Sequence, residues 1–453
     1  MLTSPRIQNS ANSAQPSRLD AQSSLYFTGS ANPMPSSSLD LEQGFRAILS
    51  PGFLRPALSA DAVAGLQPKL VLQPDTEQQL AQVLRIANQA GHAVIPRGGG
   101  TKLNWGNPPP RADIVLSTAR LDRIIEHPWA DLTVSVEAGC TVQKLQSALA
   151  QHGQRLALDP LWPDQATIGG ILSTNDSGAL RLRFGALRDL IIGSTIALPD
   201  GTLASSGGKV VKNVAGYDLQ KLVTGAFGTL GVITRAVFRL HPLPHNTKTL
   251  SVSTGTLERA QQLILDVQNS QMAHTSLQAR VEEADEPIVD ILFEGTEEGI
   301  AAQEGQLRQL AGRISILEAP HAVWQSMHEL WSAPESATVA KIAVLPAEIA
   351  RTIETIQHTA FANEVTWKLV IQATGIGSLR LEGTPENVHA GLLQLRRELQ
   401  RDSASLTVLQ RPPRLPPIDA WGEPGDSLPL MRAVKSQFDP RGTLNPGRFV
   451  GGI

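Results

Sequence analysis

Three consecutive glycines behind a proline and an arginine, in Pro96-Arg97-Gly98-Gly99-Gly100-Thr101-Lys102, are the first residues whose types and spacing imply chemistry. With no side chains in the way, successive backbone N–H groups can converge on one point, and with a hydroxyl and a cation nearby such a nest holds phosphate oxygens. The segment has neither Gly-Lys-Ser/Thr at P-loop spacing nor a Gly-x-Gly-x-x-Gly opening a helix. By itself it reads as a surface turn at least as readily as a phosphate site.

A second segment, Thr167-Ile168-Gly169-Gly170-Ile171-Leu172-Ser173-Thr174-Asn175-Asp176-Ser177-Gly178, gathers small and hydroxyl-bearing residues that would let a flat ligand approach the main chain. A buried turn weakened by glycine is an equal reading. A third, Lys212-Asn213-Val214-Ala215-Gly216-Tyr217-Asp218-Leu219, precedes a fourth, Gly228-Thr229-Leu230-Gly231-Val232-Ile233-Thr234. Each is bland alone, so the argument rests on their order.

These segments need a frame. A β-type run, Lys69 to Gln73, precedes a helix that Thr76 and Gln79 open as a capping box; Leu80, Val83, Leu84 and Ala87 share one face, and Gly91 ends it before the strand Ala93 to Pro96. A second unit joins the strand Leu132 to Glu137 to a helix capped by Thr141 and stopped by Gly153. Asp200-Gly201 suits a tight turn between Ile191–Leu198 and Thr202–Ser205. The glycine-rich segments are expected in loops of this α+β unit, residues 41–244, which ends at Pro242 and Pro244.

From 245 to 410 the pattern becomes a second α+β domain. It has strands at Ile288–Phe293, Lys341–Leu345 and Val365–Ile371, and a helix capped by Thr384 with Pro385 at its first position. Residues 411–453 form a proline-rich connector, a helix Leu428–Phe438 and a closing stretch returning to the first domain. Residues 1–40, rich in Ser, Asn, Gln, Ala and Pro, have no periodicity and read as a disordered tail.

Composition removes several function classes. Apolar residues at 41%, charged residues at 18% and a net charge of -3 give no basic excess to attract nucleic acid. No run reaches the length of about 18 apolar residues needed to span a bilayer, and no secretory signal is evident, so a cytoplasmic location is expected. Cys140 is the only cysteine, so the chain cannot ligate an iron–sulfur cluster, which needs about four.

Taken together and in order, the four segments resemble the FAD-binding domain of the vanillyl-alcohol-oxidase (PCMH-type) family over roughly Leu66 to Pro244. The resemblance implies an FAD domain followed by an α+β cap domain. It gives the pyrophosphate to Pro96, Arg97, Gly98, Gly99, Gly100, Thr101 and Lys102. Phosphates and ribityl chain fall to Thr167, Ile168, Gly169, Gly170, Ser173, Thr174, Ser177 and Gly178, and the flavin ring to the backbone of Gly228, Gly231, Val232 and Ile233. Some members tether the flavin through a histidine after the glycine loop; Thr101 stands there, so non-covalent FAD is expected.

Lys-Asn-x-x-Gly-Tyr-Asp-Leu and the ending Phe438-Asp439-Pro440…Leu444-Asn445-Pro446-Gly447-Arg448 look like the 2-hydroxy-acid dehydrogenase branch. Asp419-Ala420-Trp421-Gly422, Leu430-Met431-Arg432 and the last nine residues look like the family of FAD-binding E subunits of three-part glycolate oxidase (glycolate dehydrogenase) complexes. That implies as partners a second FAD-binding catalytic subunit and an iron–sulfur subunit, a small 2-hydroxy acid as substrate, and membrane contact only through the complex. A self-sufficient D-lactate or 2-hydroxy-acid dehydrogenase and a non-catalytic assembly subunit are the competing readings.

One feature of that branch departs. Catalytic relatives carry His-x-Gly-Asp-Gly-Asn-x-His, whose histidines hold a divalent ion; the matching stretch here is Ala373 to Arg380, with alanine and arginine in place of the histidines. No metal is expected, and with it weak intrinsic oxidation. His321 and His328, seven apart, read as one helix face rather than ligands, and Arg380 as an ion pair rather than a carboxylate site. Lys341, Lys209, Lys212 and Tyr217 are minor candidates for the flavin face, Trp331 and Trp421 are read as core or interface, and no catalytic residue is assigned.

Overall fold

The helix over Glu77–Gln89 forms where its cap demands it: Thr76 Oγ1 accepts from the Gln79 N–H at 3.1 Å. Its buried face, including Leu80, Val83, Leu84 and Ala87, packs on the strands beside it. Gln79 reaches back to the Asp75 N–H instead of to Thr76, so the capping box is displaced by one residue. In the computed structural model, which describes residues 38–208, 217–283, 285–332, 336–401 and 404–453, this helix covers a four-stranded sheet. Its strands run in the order Leu54–Pro56, Leu70–Leu72, Ile114–Ser117, Val94–Arg97, the last three mutually parallel. The expected tail falls at residues 1–37 outside the described ones, apart from the start of the helix Ser38–Arg46.

A five-stranded antiparallel sheet stands next to it, in the order Ile124–Glu126, Thr133–Glu137, Val232–Arg239, Ile191–Ala197, Leu203–Gly207. The hairpin at Asp200-Gly201 forms as expected, with Gly201 at φ +88°. Thr141 Oγ1 caps the helix Val142–Ala150, and Leu145 and Leu149 fill the core beneath the sheet.

The second half builds one eight-stranded antiparallel sheet from residues 246–410. Alternation decides its two faces. Leu277, Ala279, Val281, Ile291, Phe293, Leu369, Ile371, Leu379 and Ile342 point to one side, where the helices Leu257–Asn269, Glu297–Ala311, Ile349–Ala362 and Pro385–Arg401 bury them. Fully burying each such leucine or isoleucine stabilises by about 1.5–3 kcal/mol. The opposite face carries the sheet's buried polar groups beside Val339 and Val370: Ser251, Gln278 and Arg280 converge on the wholly buried Asp290, with Arg280 Nε at 2.6 Å. Lys341, Ser378 and Thr407 lie side by side on that polar face.

Three local expectations change. Thr167–Gly178 is not a loop throughout, because Ile168, Ile171 and Leu172 have a core to enter and draw Ile168–Thr174 into a short helix. The strand expected at Lys341–Leu345 runs over Thr338–Ala343 instead; the Val344 N–H bonds the Gly375 carbonyl at 2.9 Å as the chain leaves the sheet. His321 and His328 do not share one helix, since a 3₁₀ turn, His321–Gln325, precedes a separate helix, Ser326–Trp331.

Candidate functional site

The strand Val94–Arg97 delivers the triple glycine to the start of the helix Ile168–Thr174, and the two segments touch. A Cβ on Gly99 would stand 1.8 Å from the Gln165 carbonyl oxygen, and one on Gly98 would stand 2.0 Å from Thr167 Oγ1. Two of the three glycines are therefore required by this contact as well as by any ligand. Gly100, at φ +80°, is required by its backbone conformation, since a Cβ there would only make ordinary contacts with Arg97 Cδ and Leu103 Cδ1 at 3.8 Å. Thr167 Oγ1 accepts from the Gly170 N–H at 3.3 Å and so fixes the helix start.

A cleft of about 700 Å³ opens at this junction. Pro96, Arg97, Gly98, Gly99, Gly100, Thr101, Lys102, Thr167, Gly169, Gly170, Ser173, Thr174, Gly228, Gly231, Val232 and Ile233 line it. Ile168, Ser177 and Gly178 do not. Ile168 is in the core, Ser177 Oγ is buried without a partner, and Gly178 backs onto Asp159, whose carbonyl oxygen a Cβ there would meet at 2.3 Å. Leu103, Thr118, Phe227, Asn445 and Arg448 line the cleft but were not assigned to it from sequence. The signal for Asn445 and Arg448 lies in the Leu-Asn-Pro-Gly-Arg motif, whose asparagine and arginine both reach the cleft.

The chain's end reaches the cleft by a defined route. Buried Asp439 accepts from the Thr443 and Leu444 N–H groups and from Lys435 Nζ at 2.6 Å, which folds the Phe438-Asp439-Pro440 turn. The Asn445 N–H then bonds the Val94 carbonyl, and Asn445 Nδ2 donates to the Phe227 carbonyl at 2.7 Å. Arg448 donates to the carbonyls of Leu103 and Trp105, at 2.5 and 2.8 Å. Burial pushes its pKa down to about 10, helped by Arg411, and its Nε faces no acceptor.

The cations of the glycine loop are already engaged. Arg97 Nη1 sits 2.7 Å from Asp61, whose carboxyl is held well below the usual range by the Arg55 hydrogen bond first, then by the Leu58 N–H and Arg97, against the opposing effect of burial. The buried Lys102 Nζ lies 3.0 Å from the partly buried Asp176 and stands over the rings of Trp105 and Trp162. Asp176 also accepts from the Leu161 N–H.

Beyond Thr174 and Phe227 a second cavity, of about 540 Å³, continues toward the polar face of the eight-stranded sheet. Lys341, Ser405, Thr407, Trp105 and Trp421 line it together with Thr174 and Phe227. Burial lowers the Lys341 pKa below the ordinary lysine range; Asp176 opposes the shift and Arg181 adds to it. Trp331 stacks on Trp105 at 5.1 Å, and Trp421 Nε1 donates to the Arg448 carbonyl, so both aromatics hold the seam between the halves. Tyr217 is 88% exposed, and Lys209 and Lys212 lie outside the described residues.

In the stretch matching the metal motif, Ala373 is packed in the core and Arg380 is ion-paired with Glu382. Burial holds the His328 imidazole below its usual range, and His321 is exposed. Among the described residues no three His, Cys, Asp or Glu side chains gather as a metal would need.

Comparison with known proteins agrees with this geometry. Residues 68–207 match the family described as FAD binding domain. The glycolate oxidase subunit GlcD of Bacillus subtilis is 26% identical, covering 87% of this chain and 92% of that protein; a D-lactate dehydrogenase of Archaeoglobus fulgidus is 27% identical, covering 84% and 91%. Among solved structures, p-cresol methylhydroxylase with substrate bound aligns with a TM-score of 0.72 at 15% identity over 90% of this chain and 96% of that one. An alkyldihydroxyacetonephosphate synthase aligns at 0.70 and 16% identity, covering 92% and 87%. These low identities speak for the fold alone.

The chain thus has the fold of the vanillyl-alcohol-oxidase (PCMH-type) flavoproteins, and FAD is its cofactor. Within that class it is an FAD-dependent oxidoreductase similar to a glycolate oxidase subunit and to D-lactate dehydrogenases. The cleft suits the cofactor: bare glycine main chain forms its walls at Gly100 and Gly170, and a buried guanidinium N–H of a lining residue, Arg448, has no protein acceptor.

Proposed function

We propose that this chain is the FAD-carrying subunit of a multi-subunit glycolate or related 2-hydroxy-acid dehydrogenase. In this reading residues 41–244 hold non-covalent FAD, 245–410 form the cap, and 411–453 seal the cleft. The observation that carries this reading is the glycine-lined cleft; beside it, by resemblance to the metal motif, core-packed Ala373 and ion-paired Arg380 stand where two histidines would.

The backbone from Gly98 to Thr101 would hold the pyrophosphate, and Thr101 offers no ring nitrogen for a tether. Val232 and Ile233 would set main chain against a ring, while Trp105, Phe227 and Trp421 exclude water from the passage to the second half. Bound FAD supplies acceptance of a hydride or of single electrons. With Cys140 alone, this chain has no ligands for an iron–sulfur cluster, so onward transfer falls to partners: a second FAD-binding catalytic subunit and an iron–sulfur subunit.

The anaerobic visible spectrum before and after glycolate and D-lactate tests the assignment. Yellow that persists in the isolated chain but bleaches in the complex supports a carrier subunit. Bleaching of the isolated chain without metal supports a second reading, a self-sufficient 2-hydroxy-acid dehydrogenase, which the cavity at Lys341 favours.

A further inference from the structure

The cavity between the flavin cleft and the eight-stranded sheet contains a cation for which the described residues supply no counter-ion. Lys341 lies on the polar face of the strand Thr338–Ala343, opposite Thr407 in the sheet register, and both side chains line the cavity. Among the described residues Lys341 has no carboxylate partner. Asp176 contributes a field there, but its carboxylate is engaged by Lys102 at 3.0 Å and by the Leu161 N–H. A sequestered ammonium without an anion is costly unless a ligand supplies one. Thr174, Ser405 and Thr407 line the same cavity, the Thr174 hydroxyl donating to the Gly170 carbonyl, and Phe227 and Trp421 provide apolar wall.

We propose that Lys341 and Thr407 form a subsite for the carboxylate of a small monocarboxylic acid, whose short carbon chain lies against Phe227 and Trp421. Resting on the FAD-carrier reading, this site needs no metal: a lysine on the cap sheet provides the charge. It binds an acid whether or not the isolated chain oxidises it. The ligand also reaches the flavin cleft, because Thr174 and Phe227 belong to both cavities.

Propionate, which has no hydroxyl to oxidise, is titrated into the flavin-loaded full chain with a metal chelator present, with propionamide as its uncharged counterpart; heat and the flavin absorption band are read. Propionate is expected to bind and to perturb the band, and propionamide to bind at least about tenfold more weakly, as loss of one charge-assisted hydrogen bond predicts. Lys341→Met should weaken propionate by at least about tenfold and Thr407→Val by a few-fold, each with unchanged flavin content. Equal binding of acid and amide, or full propionate binding by Lys341→Met, overturns the proposal. Should Lys341→Met fail to fold, Thr407→Val and the acid–amide comparison still decide. A chain purified without flavin and unable to take it up refutes the carrier reading instead, so the two failures are distinguishable.

Discussion

Replacing Asp159 by asparagine should remove a pH dependence of stability near the flavin cleft and reverse the order of variant and parent between acid and pH 8. Asp159 Oδ2 and Oδ1 accept from the N–H groups of Ala179 and Leu180, at 2.8 and 3.1 Å, and hold the chain leaving the glycine-rich helix. Part of the residue reaches solvent, yet the carboxyl group is enclosed. Burial pushes its pKa up to about 7, the Asp176 carboxylate adds to the rise, and the two N–H bonds oppose it. An unfolded aspartate titrates near about 3.9. Because folding raises the pKa, the contribution to stability is complete below about pH 4 and is lost as pH rises through about 7. Three pKa units correspond to about 4 kcal/mol, of which about 2 to 3 kcal/mol falls between pH 5 and pH 8. Asparagine cannot ionise, but its amide can accept only one of the two N–H groups, a constant cost of about 1 kcal/mol. The variant should therefore be less stable than the parent at the acid end and more stable at pH 8. Urea unfolding of the flavin-loaded chain, read by tryptophan fluorescence at several pH values, measures the difference. A gap between variant and parent that stays constant from pH 5 to pH 8 would show that Asp159 does not carry its proton into the neutral range.

Thr167→Ala removes the side-chain cap of the helix Ile168–Thr174 and should cost about 1 kcal/mol in thermal unfolding, with lower flavin occupancy. Gly99→Ala places a methyl group against the Gln165 carbonyl, so flavin content should fall sharply even though the methyl points at protein; a yellow, normally loaded variant would contradict the geometry. Arg448→Met strands the Leu103 and Trp105 carbonyls, each left unpaired at a cost of about 1–3 kcal/mol, and should raise the rate of flavin release in a stopped-flow chase. Saturating FAD at a hundredfold excess over its Kd should stabilise the chain by about 2.7 kcal/mol, visible as a thermal shift that an FAD-independent fold would not show.

Much of the frame could be read from local signals. Thr76 and Thr141 announce helix starts, Gly91 and Gly153 take positive φ just past helix ends, and Leu428–Phe438 is helical over the expected residues. The cradle was legible because glycines and hydroxyls occur at fixed places in sequence. What stayed hidden was set by long-range pairing. Ile168–Thr174 is a helix because a core awaits Ile171 and Leu172, which no local propensity shows. Asn445 and Arg448 enter the cleft through a turn built by Asp439, more than two hundred residues from Phe227, which Asn445 bonds. The polar face of the large sheet was equally invisible, since alternation says that Lys341 and Thr407 face one way but not that they face the same cavity.

The same long-range contacts change how the cleft handles charge. From sequence, Arg97 and Lys102 were cations for a pyrophosphate. In the fold, Arg97 is paired with Asp61, Lys102 with Asp176, and Arg448 donates to main-chain carbonyls. Three positive side chains line the cleft, and each is held by protein acceptors. The donors still free to meet a phosphate would then be the main-chain N–H groups from Gly98 onward, left bare by glycine, and the Arg448 Nε–H, which has no protein acceptor. These pairs shape the cleft's walls and fix the loop. Lys341 differs from those three: among the described residues its partly buried ammonium has neither a carboxylate nor a carbonyl partner, and this gives the second cavity its chemical character.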